Sequence, residues 1–232
     1  MHPGEMGAAV GRVLQANGHE VLWASEGRSD ATRERAQTFR DAGTAGALAE
    51  QAELILSICP PHAAVDVARV VEGFAGTYVD ANAISPRCAQ EIAVIHPRFV
   101  DGGIVGGPPD EPGTTLYLSG SGAAAVAVLF LGSNLQPRVV ANASAVKMAY
   151  AAWSKGTAAM LLAIRDVARH FEVEEEWRMS VPELLDALAR AERSAATKGW
   201  RWIGEMEQIA DTFAAAGEPD GFHRAAAEVY RS

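Results

Sequence analysis

Along the first 142 residues the apolar positions switch repeatedly between helical and strand spacing. Residues 8–17 (AAVGRVLQAN) set Val10, Val13 and Leu14 on one helical face, and Asn17-Gly18 then offers a stop suited to positive φ. EVLWAS follows as a short apolar run and predicts a buried strand. DATRERAQTFRDAG predicts a charged helix closed by Gly43, and LILSIC (Leu54 to Cys59) a second buried strand stopped by Pro60-Pro61. HAAVDVARVVEGF predicts a helix and TYVDAN a third strand. SPRCAQEIAVI opens as a helix should, with Ser85 as N-cap and Pro86 at the first helical position. RFVDGG and TTLYLSG predict further strands, GAAAVAVLFLG another helix, and QPRVVAN a last strand.

Strands and helices that alternate through short connections predict a parallel sheet covered by helices on both faces. The expected fold is α/β, a doubly wound Rossmann sheet over residues 1–142 followed by an all-α domain over 143–232. Strand-like runs end near residue 143. SAVKMAYAAWSKGTAAMLLAIRDVARHF is one long helical pattern, and helical patterns continue to the last residue. The acidic run Glu172 to Glu176 reads as a solvated helix start or loop.

Composition narrows the functional classes. The chain has 232 residues, a formal net charge of −9 and two cysteines, Cys59 and Cys88. With no surplus of Lys and Arg to neutralise phosphates, a nucleic-acid partner is not expected. The cysteines form no CxxC and no metal-spaced His cluster accompanies them, so two reduced thiols and no metal are expected. The N-terminus has no cationic region followed by an apolar one, and no apolar stretch approaches the ~20 residues that span a bilayer. A soluble, cytoplasmic protein without a membrane partner is the expectation.

The first candidate chemistry is His2-Pro3-Gly4-Glu5-Met6-Gly7 running into a helix. A dinucleotide fingerprint places glycines where the backbone turns tightly and approaches a pyrophosphate, and the helix N-terminus offers free N–H groups to it. Gly4 and Gly7 fit the second and third glycines, with the N–H groups of Glu5 and Met6 between them, but His2 stands at the first. Alone, the pattern fits a plain glycine-rich helix start without a ligand better. The end of the EVLWAS strand falls where an adenosine ribose would be read. Glu26 there would favour NAD; Ser25, Arg28 and Ser29 would cradle a 2′-phosphate and favour NADP, with NAD possible. Arg28 and Arg33 also fit simple solvated helix-start charges.

HPGEMGAAVG, LILSICPP, YVDANAISP, FVDGGIVGGPP and GTTLYLSG, in this order, resemble the β-hydroxyacid dehydrogenase group, which includes 3-hydroxyisobutyrate and 6-phosphogluconate dehydrogenases. The tail KGWRWIGEMEQIADTF to PDGFHRAAAEVY resembles a phosphogluconate-dehydrogenase-like branch with a C-terminal domain of unknown function. The resemblance implies that Cys59 and Pro60 lie beside the ribose and nicotinamide, and that Asn82 holds the nicotinamide end. It further implies that Asp101, Gly106 and Gly107 form a substrate loop, that Lys147 is the catalytic lysine and that Lys198 reaches the cofactor. Three departures stand out: Val105 replaces a serine, Ala151 an asparagine, and Gly199 an aspartate. Lys147 sits in the mostly apolar AVKMAYAAW, where a merely solvated lysine is less expected. Tyr150, Trp153 and Ser154 lie on the same helix and would shape the substrate pocket. His223 would line it or serve as a core or capping histidine, and Trp200 and Trp202 read as packing residues.

The expected activity is hydride transfer between NADP(H) and a small polar alcohol or carbonyl, with Lys147 as general acid/base, in a homodimer. Alternatives are an imine reductase and a non-catalytic dinucleotide sensor. One conflict remains within the sequence: a sheet of this kind has its central strand before the glycine turn, where only Met1 to Pro3 stand. The approach to Lys147 through ANASAVK is also short. Both point to segments missing from the sequence.

Overall fold

The computed structural model describes residues 3–231. The chain divides into two compact units, Met1–Lys147 and Met148–Ser232, so the division falls after Lys147, whereas the sequence pattern changes near residue 143.

In the first unit, α1 (Glu5–Ala16) precedes β1 (Leu22–Trp23), α2 (Asp30–Arg35) and β2 (Arg40–Asp41). α3 (Ala45–Gln51), β3 (Leu54–Ser57), α4 (Ala64–Val70), β4 (Thr77–Asp80), α5 (Pro86–Ile95) and β5 (Phe99–Val105) follow. β6 (Thr114–Ser119), α6 (Ala123–Val128) and β7 (Leu135–Val139) complete it. α5 starts as its sequence dictates: the Ser85 hydroxyl accepts from the Cys88 N–H, and Pro86 occupies the first turn.

Successive residues of one strand serve opposite faces. Val79 belongs to a cluster with Val10 and Val13 of α1 and Val126 of α6. Its neighbour Tyr78 belongs to another with Leu48, Ala68 and Ile92 of α3, α4 and α5. Helices therefore cover both faces of the sheet, which is the doubly wound arrangement. Fully burying each such aliphatic side chain stabilises by roughly 1.5–3 kcal/mol.

Three local expectations need correction. The segment read as one helix up to Gly43 is a helix only over Asp30–Arg35. Arg40 and Asp41 form β2, parallel to β1, and α3 was not anticipated. Phe39 draws the chain off the helix, because it is buried with Ala8, Trp23 and Ala36. The sheet is also not purely parallel: β5 and β6 pair antiparallel, Asp101 opposite Ser119 and Val105 opposite Thr115. Residues 106–113 hold no helix that could make a parallel crossover, and they turn back through Gly106 and Gly113 at φ 123° and 120°. Finally, β7 reaches α7 (Ala143–Ala151) directly through residues 140–142, and Asn142 Oδ1 accepts from the Ala145 N–H.

The sheet falls into two parts. One is β1–β2 and the other is β3–β4–β5–β6–β7, with no pairing between β1 and β3.

The second unit is helical. After a π-helical turn at Ala152–Gly156 come α8 (Thr157–His170), α9 (Glu174–Ser180), α10 (Leu185–Ala215) and α11 (Gly221–Val229). The single helix expected from residue 144 is thus broken by a wide turn, and the acidic run starts α9. Lys155 of that wide turn pairs with the buried Glu205 of α10, and the Tyr230 hydroxyl donates to the Lys155 carbonyl at 2.6 Å. No described helix is long and apolar enough to cross a membrane.

Candidate functional site

α1 begins with Gly4 at its N-cap, φ −67° and ψ −174°, and no side chain caps it. A Cβ built on Gly4 would meet nothing within 4 Å, so the helix end is open. The N–H groups of Glu5, Met6 and Gly7 lack intrahelical partners by construction and carry the positive end of the helix dipole. Met6 packs into the core cluster that holds Ile58 and Ala81, at the carboxyl ends of β3 and β4. The helix N-terminus and these strand ends thus border one core cluster, and sheets of this class take ligands at the carboxyl ends of their strands. His2 lies outside the described residues.

The loops after β3 and β4 are tied by one side chain. Asn82 Oδ1 accepts from the Cys59 N–H at 2.5 Å, while its Nδ2 donates to Asp80 Oδ2 at 2.6 Å and Ser57 Oγ at 3.2 Å. Asp80 Oδ1 also accepts from the Asn82 N–H at 3.0 Å. Asp80 is fully buried, and loss of water pushes its carboxyl up to about 7 despite these donors; the Asp101 charge adds to the rise. Burial also pushes the Cys59 thiol up to about 11, with Asp80 contributing. A thiol raised in this way is protonated at neutral pH. Pro60 sits beside it and precedes the turn Pro61–Ala63. Sequence reasoning found Asn82 and Cys59 but missed Asp80 and Ser57, which orient the amide. The readable signal was the pair of polar residues ending two apolar strands.

The expected phosphate cradle has other duties. Ser29 caps α2 by accepting from the Thr32 N–H, Arg28 Nε donates to the Glu26 carbonyl at 3.2 Å, and Arg33 donates to the Ser25 carbonyl at 3.1 Å. Asp41, at the end of β2, is held below the usual carboxylate range first by the Ser25 hydroxyl and then by the Gly43 N–H. Ser25, Arg28 and Ser29 thus share one turn, with a carboxylate beside them. Arg35 donates to the Pro3 carbonyl at 3.3 Å, linking α2 to the start of α1.

Asp101 and Lys147 each tie β5 to α7, at different points along the strand. Asp101 Oδ2 accepts from Ser119 Oγ and from the Ser144 N–H, both at 2.9 Å, and Ser119 Oγ accepts from the Ala143 N–H at 2.9 Å. Desolvation raises the Asp101 pKa, against the pull of Ser144 and Ser119. Asp101 therefore anchors the first turn of α7, where a carboxylate is favoured by the helix dipole. Lys147 projects one turn later, half-buried, and Nζ donates to the Ile104 carbonyl at 2.7 Å. Gly103 makes the approach possible: its Cβ would lie 2.8 Å from Lys147 Cβ and 3.0 Å from the Ala143 carbonyl oxygen. Gly102 is equally constrained, its Cβ falling 2.7 Å from the Asp80 carbonyl oxygen. Gly106 and Gly107 shape the β5–β6 loop, with Thr114 Oγ1 donating to the Gly107 carbonyl at 2.7 Å. Gly103, Ser119 and Ser144 went unread in the sequence; a double glycine inside a strand was the available clue.

The remaining expected residues belong to the second unit. Tyr150 and Trp153 are exposed, Lys198 is an exposed residue of α10, and Ala151 is fully buried. His223 is buried against Phe213, ring centroids 4.4 Å apart, and its Nδ1 has no partner among the described residues. It also packs on Gly156, which supports the core alternative, and desolvation lowers its pKa. Trp202 packs edge-on to Tyr230, as expected, but Trp200 is 66% exposed and is no packing residue within this chain. No group of three or more His, Cys, Asp or Glu that could hold a metal occurs among the described residues.

Residues 168–232 match the model of a domain of unknown function, DUF1932. A search of curated proteins gives no match. Solved structures are similar over nearly the whole chain. A conserved protein of unknown function, described as structurally similar to 3-hydroxyacid dehydrogenases, is 24% identical over 99% of this chain and 95% of that one, TM-score 0.70. A 3-hydroxyisobutyrate dehydrogenase from Salmonella typhimurium is 16% identical over 98% and 90%, TM-score 0.73. A reductive aminase from Aspergillus terreus, in complex with NADPH4, cyclohexanone and allyl amine, is 17% identical over 97% and 89%, TM-score 0.60. At these identities the shared property is the fold alone: a Rossmann-like α/β sheet followed by helices.

Proposed function

We propose that this chain is an NAD(P)-dependent oxidoreductase acting on a small polar alcohol or carbonyl. The observation that carries the reading is the uncapped N-terminus of α1, opened by Gly4 and packed through Met6 at the ends of β3 and β4. Glu5, Met6 and Gly7 N–H groups would hold a pyrophosphate, and the Asn82-braced loops carrying Cys59 and Pro60 would hold the nicotinamide side. When bound, the nicotinamide would accept or return the hydride. NADP is read first from Arg28, Ser25 and Ser29; Asp41 and Glu26 are the features that would favour NAD instead.

Lys147 would exchange the hydroxyl proton. In oxidation its neutral amine takes that proton as the carbinol carbon gives up hydride; in reduction its ammonium returns the proton to the forming alkoxide. The Ile104 carbonyl orients Nζ, and Asp101 fixes the helix turn before it. A reductase acting on C=N bonds is the second reading, because Val105 and Ala151 lack polar groups that would orient a carboxylate. Large apolar side chains stand exposed on the second unit, Trp153 at 74% and Phe222 at 65%, which supports a homodimer.

Titration with NADPH and with NADH, followed by nicotinamide fluorescence, tests the reading. Tighter binding of NADPH, weakened in Arg28→Ala, is expected. Binding of neither cofactor would overturn it, and preference for NADH would move ribose recognition to Glu26 and Asp41.

A further inference from the structure

Ser57 and Asp80 are direct partners in the pairing of β3 with β4, so their side chains leave the sheet on the same face. Cys59 and Asn82 follow them by two residues each and bring a second pair of groups to the loops beyond the strands. Asn82 is 2% exposed. Both hydrogens of its Nδ2 are spent, one on Asp80 Oδ2 and one on Ser57 Oγ, and its Oδ1 accepts from the Cys59 N–H. It therefore keeps no donor for the carboxamide of a nicotinamide, the direct contact that the sequence resemblance implied.

The direction of each bond is forced. The Cys59 N–H can only donate and an ionised Asp80 can only accept, so a single orientation of the Asn82 amide satisfies both. Asp80 Oδ1 also takes the Asn82 N–H at 3.0 Å, so one carboxylate holds both the backbone and the side chain of residue 82. Asp101, opposite Asp80 on β5, is committed elsewhere, to Ser119 and the Ser144 N–H. An amide at position 80 could not replace the carboxylate, because either of its orientations sets one N–H group against another.

We propose that Asp80 is a positioning residue for the nicotinamide end of the candidate site, acting through Asn82 by fixing the amide so that its Oδ1 holds the Cys59 loop. Asn82 is then a clasp between the loops after β3 and β4 and not a contact of the nicotinamide. With the clasp closed, Cys59 and Pro60 have one place relative to the end of β4; with it open, the Cys59 N–H loses its acceptor and the loop its tie to β4. The clasp itself stands on hydrogen bonds within the chain. Only its role toward the nicotinamide rests on the dinucleotide reading above.

Exchanging the two residues in the full chain tests the direction of the bonds. Asp80→Asn sets amide against amide, and Asn82→Asp sets carboxylate against carboxylate. The double exchange Asp80→Asn/Asn82→Asp rebuilds the pair with donor and acceptor reversed, and the carboxylate at position 82 still accepts from the Cys59 N–H. Amide hydrogen exchange at Cys59, read without any cofactor, is expected to speed at least about tenfold in each single variant and to return to within about threefold of the native rate in the double. The Kd of NADPH or NADH, whichever binds, should rise about tenfold or more in the single variants and recover in the double, while that of the adenosine half alone, 2′,5′-ADP or ADP, stays within about twofold throughout. If a single exchange does not fold, Asn82→Ala is read in its place. A double exchange no better than the single ones at Cys59 overturns the clasp. Dinucleotide affinity that is unchanged in every variant, or that falls together with affinity for the adenosine half, overturns the positioning role. Binding of neither dinucleotide to the native chain would remove that role along with the dinucleotide reading, while exchange at Cys59 still decides the clasp.

Discussion

Gly103 and Lys147 are in contact that leaves no room for a methyl group: a Cβ on Gly103 would sit 2.8 Å from Lys147 Cβ. The strand and the helix that carry them are pinned together by Asp101, so the contact cannot easily relax. This makes Gly103 a positioning residue for the candidate catalytic lysine.

Gly103→Ala should therefore displace α7 and weaken the Lys147 to Ile104 hydrogen bond. Overpacking of this kind costs roughly 1–3 kcal/mol, to be read as a lower urea midpoint with unchanged slope. Gly107→Ala is the control, since nothing lies within 4 Å of its Cβ, and it should be near neutral. Equal stability of the two variants would mean that α7 shifts freely.

Lys147→Met should remove turnover while leaving NADPH binding intact. General acid/base groups contribute about 10²–10⁴-fold, so a loss in kcat of that order is expected in stopped-flow or steady-state assays once a substrate is found. A variant that loses cofactor binding to the same extent would instead mark Lys147 as structural. Lys147→Arg, which keeps a donor for the Ile104 carbonyl but holds its proton, separates positioning from proton transfer: it should stay folded and stay slow.

Asp80 should make stability fall as pH rises from about 4 to about 7. Its folded pKa is raised by burial to about 7, whereas an unfolded aspartate titrates near 3.9. The folded state then holds a proton that the unfolded state has lost, and stabilisation by that proton is complete below the unfolded value. It is lost between the two values, at up to about 1.4 kcal/mol per pH unit, and is gone once the pH has risen past the folded one. Tm measured across this range should decline for the native chain. Asp80→Asn should be flatter, and lower at pH 5, because its amide would oppose the Asn82 Nδ2 that now donates to Asp80. An equally steep decline in Asp80→Asn would assign the effect to another group.

What was legible in the sequence was whatever is settled within a few residues. The Ser85-Pro86 start of α5, the face formed by Val10 and Val13, and the buried strands at Leu54 and Thr77 follow from local capping and from whether the apolar period is 3.6 or 2. The order of α and β elements, and hence the doubly wound fold, follows from these periods. Gly4 announced the open start of α1, because an absent side chain can be read directly.

Tertiary structure decided the rest, because the deciding partners are distant in sequence. Arg40 and Asp41 became a strand because Phe39 is buried with Trp23, not because of their own propensity. β6 runs antiparallel because the loop from Gly106 to Gly113 has no helix to carry a crossover. Asp101, read as a substrate residue, is an anchor of α7 because Ser119 and Ser144 meet it across 18 and 43 residues. The shift of the Asp80 carboxyl and the reach of Lys147 to Ile104 depend likewise on burial and on contacts that local spacing does not encode.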